Sequence, residues 1–417
     1  MSGEIHHQPQ VHQVLATLAY GDAIGNEAIG IRAALTSAGY ESRIYVQTAD
    51  PQVKDLTEDY RELIHDSDSD NILIHHFSIA SRASRLAFAL PDRMILVYHN
   101  ITPPNYFIGV NKALVEQCYS GRRELKAYVR RCDLALGDSE FNRRELEQMG
   151  FLNTDVLPVI PSFSHLEVPS NRMLAAGFDD DWTNFLFVGR IIPNKRIEDL
   201  IRFFHVYRSK YNERSRLLLV GAHSGFSDYL ASLHDLRASL GTPDVHLIGH
   251  VSNNELTALY DIADLFLSAS EHEGFCVPLL EAFYKQIPVV AFAAAAVPDT
   301  MDGGGVLYDY KDPRYVAAIM HAVLSDKARQ DEILQSQELA LDRLKRHDFR
   351  QLLLGFIEQV GRSPRLDSTE IRPDFWDQYE LAERLEHLRI QRPSIYEGLP
   401  KAPPKGEASG ISSPNKP

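Results

Sequence analysis

Residues Glu273–Glu281 read EGFCVPLLE. The run follows an apolar, strand-like stretch, Leu265-Phe266-Leu267-Ser268, and leads into a helix-like one. A loop between a parallel strand and a helix N-terminus is where α/β proteins hold anionic ligands. Gly274 lets backbone approach a ligand closely. Pro278 suits a first helical turn, where its missing N–H costs nothing. The N–H groups around Phe275, Cys276 and Val277 are then free to face a phosphate. Glu281 falls about one turn into the helix, where its carboxylate can accept from sugar hydroxyls. Taken alone, the segment also fits a plain strand–helix junction with dipole-complementing glutamates.

Working outward, short apolar runs alternate with amphipathic stretches. The strand candidates are His12–Ala19, Arg43–Gln47, Asn71–His76, Met94–Tyr98, Asp133–Gly137 and Asp155–Ile160, then Asn184–Gly189, Arg216–Gly221, Val245–Gly249, Asp264–Ser268, Ile287–Phe292 and Val306–Tyr308. Many are apolar throughout, as expected of strands covered by helices on both faces. Helix patterns fill the gaps at Glu27–Ala38, Arg122–Arg131, Glu140–Met149, Arg196–Lys210, Asn254–Ile262 and Pro313–Leu324. This grammar predicts two doubly wound, Rossmann-like α/β domains facing across a cleft. The Pro-, Ser- and Asp-rich stretch Pro161–Thr183 reads as the linker. The expected boundaries are 1–165 for the first domain, 166–183 for the linker and 184–345 for the second domain. A helix at 346–362 and an extension at 363–417 follow, the latter with a helix at Tyr379–Ile390 and a disordered tail from Lys401.

The strand Asn184–Gly189 runs into Arg190, Pro193, Asn194, Lys195 and Arg196. Cations at a strand end look like a diphosphate pocket, with a solvated basic turn as the plainer alternative. The chain has a net charge of -14, which makes nucleic acid an unsuitable general partner. Three cysteines without CxxC spacing argue for a reducing compartment. The polar N-terminus lacks a signal-peptide core and no apolar run is long enough to span a bilayer, so the expected location is cytoplasmic. Neither half carries GxGxxG, which disfavours nicotinamide chemistry. The run Asp66–Asp70 fails the calcium-loop pattern, because Asn71 and Phe77 stand at the positions that need Gly and Glu. His75 and His76 end a strand without further zinc ligands; one of them is expected to line the cleft. Asp138 and Ser139 read as a helix cap. Arg122, Arg123, Lys126, Arg130 and Arg131 form a basic stripe, read first as a solvated face and second as a site of peripheral contact with an anionic membrane.

The combination of VGRIIPNKR (Val188–Arg196), SEHEGFCVPLLEA (Ser270–Ala282) and Pro288-Val289-Val290 resembles the retaining glycosyltransferases of family 4, which have the GT-B fold. YGDAIGNEAIGIRAAL, VYHNITPPNYF and LALGDSEFNRREL in the N-terminal half resemble bacterial members that build cell-surface polysaccharides. The resemblance implies that Arg190 and Lys195 neutralise a donor diphosphate. It implies that Glu273 contacts the donor sugar near the reacting centre and that Glu281 holds the ribose. It assigns Phe275 and Cys276 backbone contacts to sugar or phosphate, and His99 a place in the cleft near the sugar. Gly25 would lie beside the diphosphate, and Gly221, Ile248 and Val251 beside the base. The C-terminal helix would cross back onto the first domain. The implied activity is transfer of a hexose, mannose-like or related, from a nucleoside-diphosphate sugar to a saccharide or lipid-linked acceptor. No metal or other cofactor is implied. A nucleotide-sugar 2-epimerase and a non-catalytic nucleotide-sugar-binding module are the alternatives on the same architecture.

Overall fold

The computed structural model describes residues 10–19, 21–159, 162–178, 180–365, 375–379, 385, 388, 389 and 392–399. Contacts divide the chain into residues 1–366 and 367–417. In the second unit the described residues include a short helix, Pro393–Glu397. Most of the helix expected at Tyr379–Ile390, and the whole tail from Lys401, lie outside the described residues.

The first unit holds two parallel sheets. The strands of the first are β1 (Val11–Leu18), β2 (Ile44–Ala49), β3 (Glu58–Asp59), β4 (Ile72–Phe77), β5 (Arg93–Tyr98), β6 (Leu134–Gly137) and β7 (Thr154–Val156). Their order is β3-β2-β1-β4-β5-β6-β7. The second sheet comprises β8 (Thr183–Val188), β9 (Ser215–Val220), β10 (Val245–Gly249), β11 (Leu265–Ser268), β12 (Val289–Phe292) and β13 (Val306–Tyr308), in the order β10-β9-β8-β11-β12-β13. The central strands are apolar and buried on both faces: all of β4, β9 and β11 is inaccessible to solvent. That is why their sequences do not alternate. The order reverses between β1 and β4, and again between β8 and β11. Ligands of open α/β sheets bind outside the carboxyl ends of strands at such a switch point. This is the doubly wound pair of domains expected from the strand–helix grammar.

Helices at Arg82–Ala89 and Ser227–Ser239 were not anticipated, and the helix expected at Arg122–Arg131 begins at Lys112 and ends at Ala127. Nor were the following features. The edge strand β3 is two polar residues long, too short to carry a pattern. The helix Lys327–Lys345 is largely polar and buries little beyond Ile333, Gln337, Ala340 and Leu341, so its periodicity is faint. The Pro-rich linker docks on the second domain: Leu166 joins that core, Phe163 stacks on Tyr284 at 4.5 Å between ring centroids, and the Asn171 N–H donates to Asn254 O at 3.0 Å. The helix Phe349–Arg362 lies on the first sheet, where Leu353, Phe356, Ile357 and Val360 pack with Ile72, Ile95 and Leu134. Arg93 donates to the carbonyls of Val360 and Ser363 at 2.9 and 2.8 Å, satisfying the helix C-terminus. No helix among the described residues is long and apolar enough to cross a membrane.

The carboxyl ends of β8 and β9 meet backbone to backbone. A Cβ on Gly221 would lie 1.9 Å from the Gly189 carbonyl oxygen, and Gly221 has φ +148°. Neither rigid backbone can yield. Gly221→Ala should therefore destabilise the fold by about 1–3 kcal/mol or more. Gly30→Ala, on a helix with open space around the new methyl, should be neutral or stabilising by about 0.5–1 kcal/mol. Denaturant melts of both variants test this; an unperturbed Gly221→Ala would refute the packing role.

Candidate active site

The second sheet supplies the cationic side. Arg190 and Lys195 follow β8, and Glu273 follows β11, so the switch point brings them to one strand-end crevice. The Lys195 ammonium sits on both carboxylate oxygens of Glu273 at 2.5 Å, and both side chains are largely buried. Arg190 is exposed and makes no ion pair among the described residues; its guanidinium lies 5.9 Å from the Phe226 ring centroid. Arg196, by contrast, is tied to Glu198, Asp199 and Glu271. Lys311 joins Glu271 and the Ala269 carbonyl, bracing the loop below Glu273.

The backbone of that loop is polarised. The carbonyls of Glu273, Gly274 and Phe275 accept from the Ala296 N–H, Ser139 Oγ and Thr300 Oγ1. The N–H groups of Phe275, Cys276 and Val277 have no protein acceptor among the described residues. The helix Val277–Tyr284 begins here, with Pro278 in its first turn. Cys276 caps it at φ +79°, a left-handed conformation that costs a side-chain-bearing residue about 1 kcal/mol or more. Burial, reinforced by Glu273, pushes the Cys276 thiol well above its usual range, so the sulfur is no nucleophile. Glu281 is buried, accepting from Tyr260 Oη at 2.7 Å and facing His165 Nε2 at 2.8 Å. This hydrogen bond raises the His165 pKa. Ile248 and Val251 pack half-buried on the same core, and the Gly221 N–H donates to Gly249 O at 2.8 Å.

The first sheet supplies the opposite wall. His99 follows β5, and its side chain is 1% exposed. Its Nδ1 lies 3.1 Å from Asp138 Oδ2 and 3.6 Å from Glu27 Oε2, and its Nε2 lies 2.9 Å from His76 Nδ1. Both ring nitrogens are thus engaged within the wall. Burial opposes charge on His99, but Asp138, Glu27 and Asp22 outweigh it and hold the pKa at about 9. Burial first, then Asp138, raises the Glu27 carboxyl. Gly25 is buried in the first turn of the helix Ala23–Ser37, where a Cβ would meet the Ala19 carbonyl at 2.9 Å.

The two walls touch. Gly274 is where they meet, since a Cβ there would lie 2.9 Å from the His99 carbonyl oxygen and 3.1 Å from Asn100 Cβ. Its smallness serves this approach between domains as well as any ligand. Phe141 N donates to Asp299 at 2.7 Å, and Asn111 Nδ2 donates to Gly225 O at 3.0 Å. The structure therefore brings Arg190, Lys195, Glu273, Gly274, Phe275, Cys276 and Val277 opposite His99. Glu281, Ile248 and Val251 stand further along the second domain. Two readings are corrected. His75 and His76 are buried, held by Ser84 and by Gln13 with His99, so neither lines the cleft. Asp138 is more than part of a cap: Ser139 caps the helix, whereas Asp138 faces His99. Glu27 and His165 carried no warning, because a glutamate within a helix and a lone linker histidine are both ordinary.

Glu27, His99 and Asp138 offer atoms within 4.8 Å of one another, the spacing of a cation site. A hydrogen bond already joins His99 to Asp138, and a single proton between them satisfies the same atoms. These groups set the pH dependence of stability. His99 and Glu27 bind protons in the folded chain that the unfolded chain has released, so the His99 contribution is lost as pH rises from 6.5 through about 9 and the Glu27 contribution as it rises from 4.5 through about 8. Burial pushes His75 down to about 3, and His76 well below its usual range, so stability also falls as pH drops below 6.5. Melting temperature should peak near neutrality, and Glu27→Gln should flatten the alkaline limb. An alkaline limb unchanged in that variant would rule out a protonated Glu27.

Residues 175–338 match the family described as "Glycosyl transferases group 1". The O-antigen chain mannosyltransferase B of Escherichia coli is 28% identical over 161 residues, 38% of this chain and 41% of that protein. The D-inositol 3-phosphate glycosyltransferase of Salinispora arenicola (strain CNS-205) is 34% identical over 198 residues, 45% of this chain and 43% of that protein. The matches span about two fifths of the length of these curated relatives. Among solved structures, sucrose-phosphate synthase from Thermosynechococcus elongatus aligns with a TM-score of 0.64 at 16% identity, covering 84% of this chain and 98% of its own. The lipopolysaccharide glycosyltransferase WaaG aligns at 0.58 and 14% identity, covering 85% and 100%. HepE from Anabaena, solved with UDP and glucose, aligns at 0.61 and 17% identity, covering 85% and 100%. The two-sheet frame is a GT-B fold, and its second domain carries the match to the glycosyl transferases of group 1.

Proposed function

We propose that this chain is a retaining glycosyltransferase that moves a hexose, mannose-like or related, from a nucleoside-diphosphate sugar to a saccharide or lipid-linked acceptor in surface-glycan synthesis. One observation carries the reading: Arg190, Lys195 and three unpaired loop amides converge where the GT-B domains meet. Breaking a bond from an anomeric carbon to a diphosphate develops negative charge on the leaving group. Fixed cations and amides aimed there stabilise that charge without reorganisation. In the structure Lys195 is paired with Glu273, so a bound diphosphate would draw the ammonium toward itself and free the Glu273 carboxylate for donor-sugar hydroxyls. Glu281, held by Tyr260 and His165, is pre-set to accept from the ribose.

The mannose-like donor is supported by the relative named as an O-antigen mannosyltransferase, and retention by the motif resemblance alone. The cations take the charge-neutralising role a metal plays elsewhere, and on this reading the reaction needs none. Synthesis at the inner face of the cytoplasmic membrane fits such acceptors. The basic stripe gives that contact limited help. Arg122 turns inward to Ile101 O and Glu145, and Arg131 donates to the carbonyls of Phe88, Leu90 and Asp92. Both are structural, which favours the solvated-face reading of Lys126 and Arg130.

Arg190→Ala and Lys195→Ala should each lower turnover about 10²–10³-fold without unfolding the chain. A panel of GDP, UDP and dTDP in thermal-shift assays identifies the donor base; at about 100 times its dissociation constant the right nucleotide adds roughly 2.7 kcal/mol of stability. Normal turnover in either variant removes that residue from the reaction. No stabilisation by any nucleoside diphosphate would sink the functional reading as a whole.

A further inference from the structure

We propose that a buried hydrogen-bond chain, Gln13–His76–His99–Asp138, holds His99 as a doubly protonated imidazolium. It places a fixed positive charge in the first domain's wall of the cleft, directly behind the contact with Gly274. The direction of every hydrogen bond follows from one end. Gln13 Nε2 lies 3.0 Å from the Ala28 carbonyl, an atom that can only accept, so the amide orientation of Gln13 is fixed. Its Oε1 then accepts from His76 Nε2 at 2.9 Å. A neutral His76 protonated at Nε2 carries its lone pair on Nδ1, and there it can only accept from His99 Nε2. His99 therefore spends one proton on His76. Its other nitrogen lies 3.1 Å from Asp138 Oδ2, a hydrogen bond that needs a proton between the two atoms, so the geometry puts a second proton there.

The charge could in principle sit on His76 instead. The surroundings decide against that. His76 meets His99 edge to edge, nearly coplanar, with ring centroids 5.1 Å apart, and its other partner is a neutral amide. His99 has Asp138 and Glu27 within 3.6 Å. In a buried site, opposite charge at hydrogen-bond distance outweighs desolvation more readily than a neutral dipole does. The groups facing His99 are His75 and His76 on β4, Asp138 after β6, Asp22 just before the helix Ala23–Ser37 and Glu27 in that helix's second turn. Asp22 is also within electrostatic reach of Arg190 on the other domain. Glu27 has both carboxylate oxygens buried without a hydrogen-bond partner, as does one oxygen of Asp138. Glu27 carries its own proton, and Asp138, a buried acid poor in donors, is compensated by a positive charge on His99. Gln13, His76, Asp138 and Glu27 are thus positioning residues, acting through His99. That the charge faces a donor diphosphate rests on the proposed function; the protonation state does not.

The test is ¹⁵N NMR of the full chain labelled at histidine, with the His99 signals assigned by their loss in His99→Gln. Near neutral pH both ring nitrogens of His99 should show protonated-type shifts, unchanged by EDTA, while His76 shows one protonated and one imine-type nitrogen. The titration of His99 should lie near pH 9. In Asp138→Asn, an isosteric change, it should fall by about one unit or more, roughly tenfold in proton affinity. Gln13→Leu, which frees His76 to reverse its tautomer, should shift it in the same direction. An imine-type nitrogen on His99 at neutral pH would overturn the proposal. So would stoichiometric metal in the purified protein whose removal moves the His99 signals, since a cation would then hold the proton's place. As a separate arm, affinity for the stabilising nucleoside diphosphate should decline as His99 deprotonates, and at lower pH in Asp138→Asn. If no nucleotide binds while the NMR result stands, the functional reading fails and the protonation assignment survives.

Discussion

The contact between Gly274 and the His99 carbonyl is the constraint around which the site is arranged. It joins the carboxyl end of β11 to the carboxyl end of β5, one from each sheet, at a separation no side chain can enter. Gly274 has an ordinary φ, so the requirement for glycine here comes from space and not from backbone conformation. With this contact made, Ser139 reaches the Gly274 carbonyl and Asp299 reaches the Phe141 N–H. These are few, polar and specific bonds. An interface of that kind is reversible, as the proposed function requires of a cleft that opens for substrate and excludes water when closed.

The same contact sets charge against charge. On one side, Lys195 is neutralised by Glu273 while Arg190 stays uncommitted. On the other, Asp138 and Glu27 surround His99. Buried ionisable groups are weak evidence for stability, because desolvation consumes most of what pairing returns. A chain optimised only to fold would gain by replacing this cluster with apolar residues. The apolar cores beneath each sheet, with strands inaccessible on both faces, supply the stability that makes the cluster tolerable.

The sheets were legible because their strands are buried on both faces, and an apolar run of four to six residues then admits few other readings. The positions of Arg190, Lys195 and Glu273 were legible for a related reason: each stands in the loop that follows such a run. The first wall was not. Glu27 and Asp138 look like ordinary residues of a helix and of a helix cap, and only the parallel pairing of β4, β5 and β6 brings His76, His99 and Asp138 into line. Register across three strands separated by some sixty residues leaves no mark in local sequence. The docking of the linker was hidden for the opposite reason. Its composition is that of a loop, yet Leu166, Phe163 and His165 are each spaced to reach a different part of the second domain.

Cys276 shows how the loop amides come to point one way. A left-handed residue at the helix N-cap turns the preceding peptides over, so that carbonyls and amides separate onto opposite faces. The carbonyls of Glu273, Gly274 and Phe275 are then captured by Ala296, Ser139 and Thr300. A side chain at φ +79° is disfavoured, and it persists because those captures, with Pro278 fixing the next turn, leave the backbone no other path. Two of the three captures come from the second domain itself, from residues 296 and 300; the third, from Ser139, exists only when the domains meet. Closure therefore does more than bring His99 near the loop. It completes the set of bonds that keeps the amides turned one way; on the proposed function, donor binding and domain closure would then draw on the same interactions and each would strengthen the other.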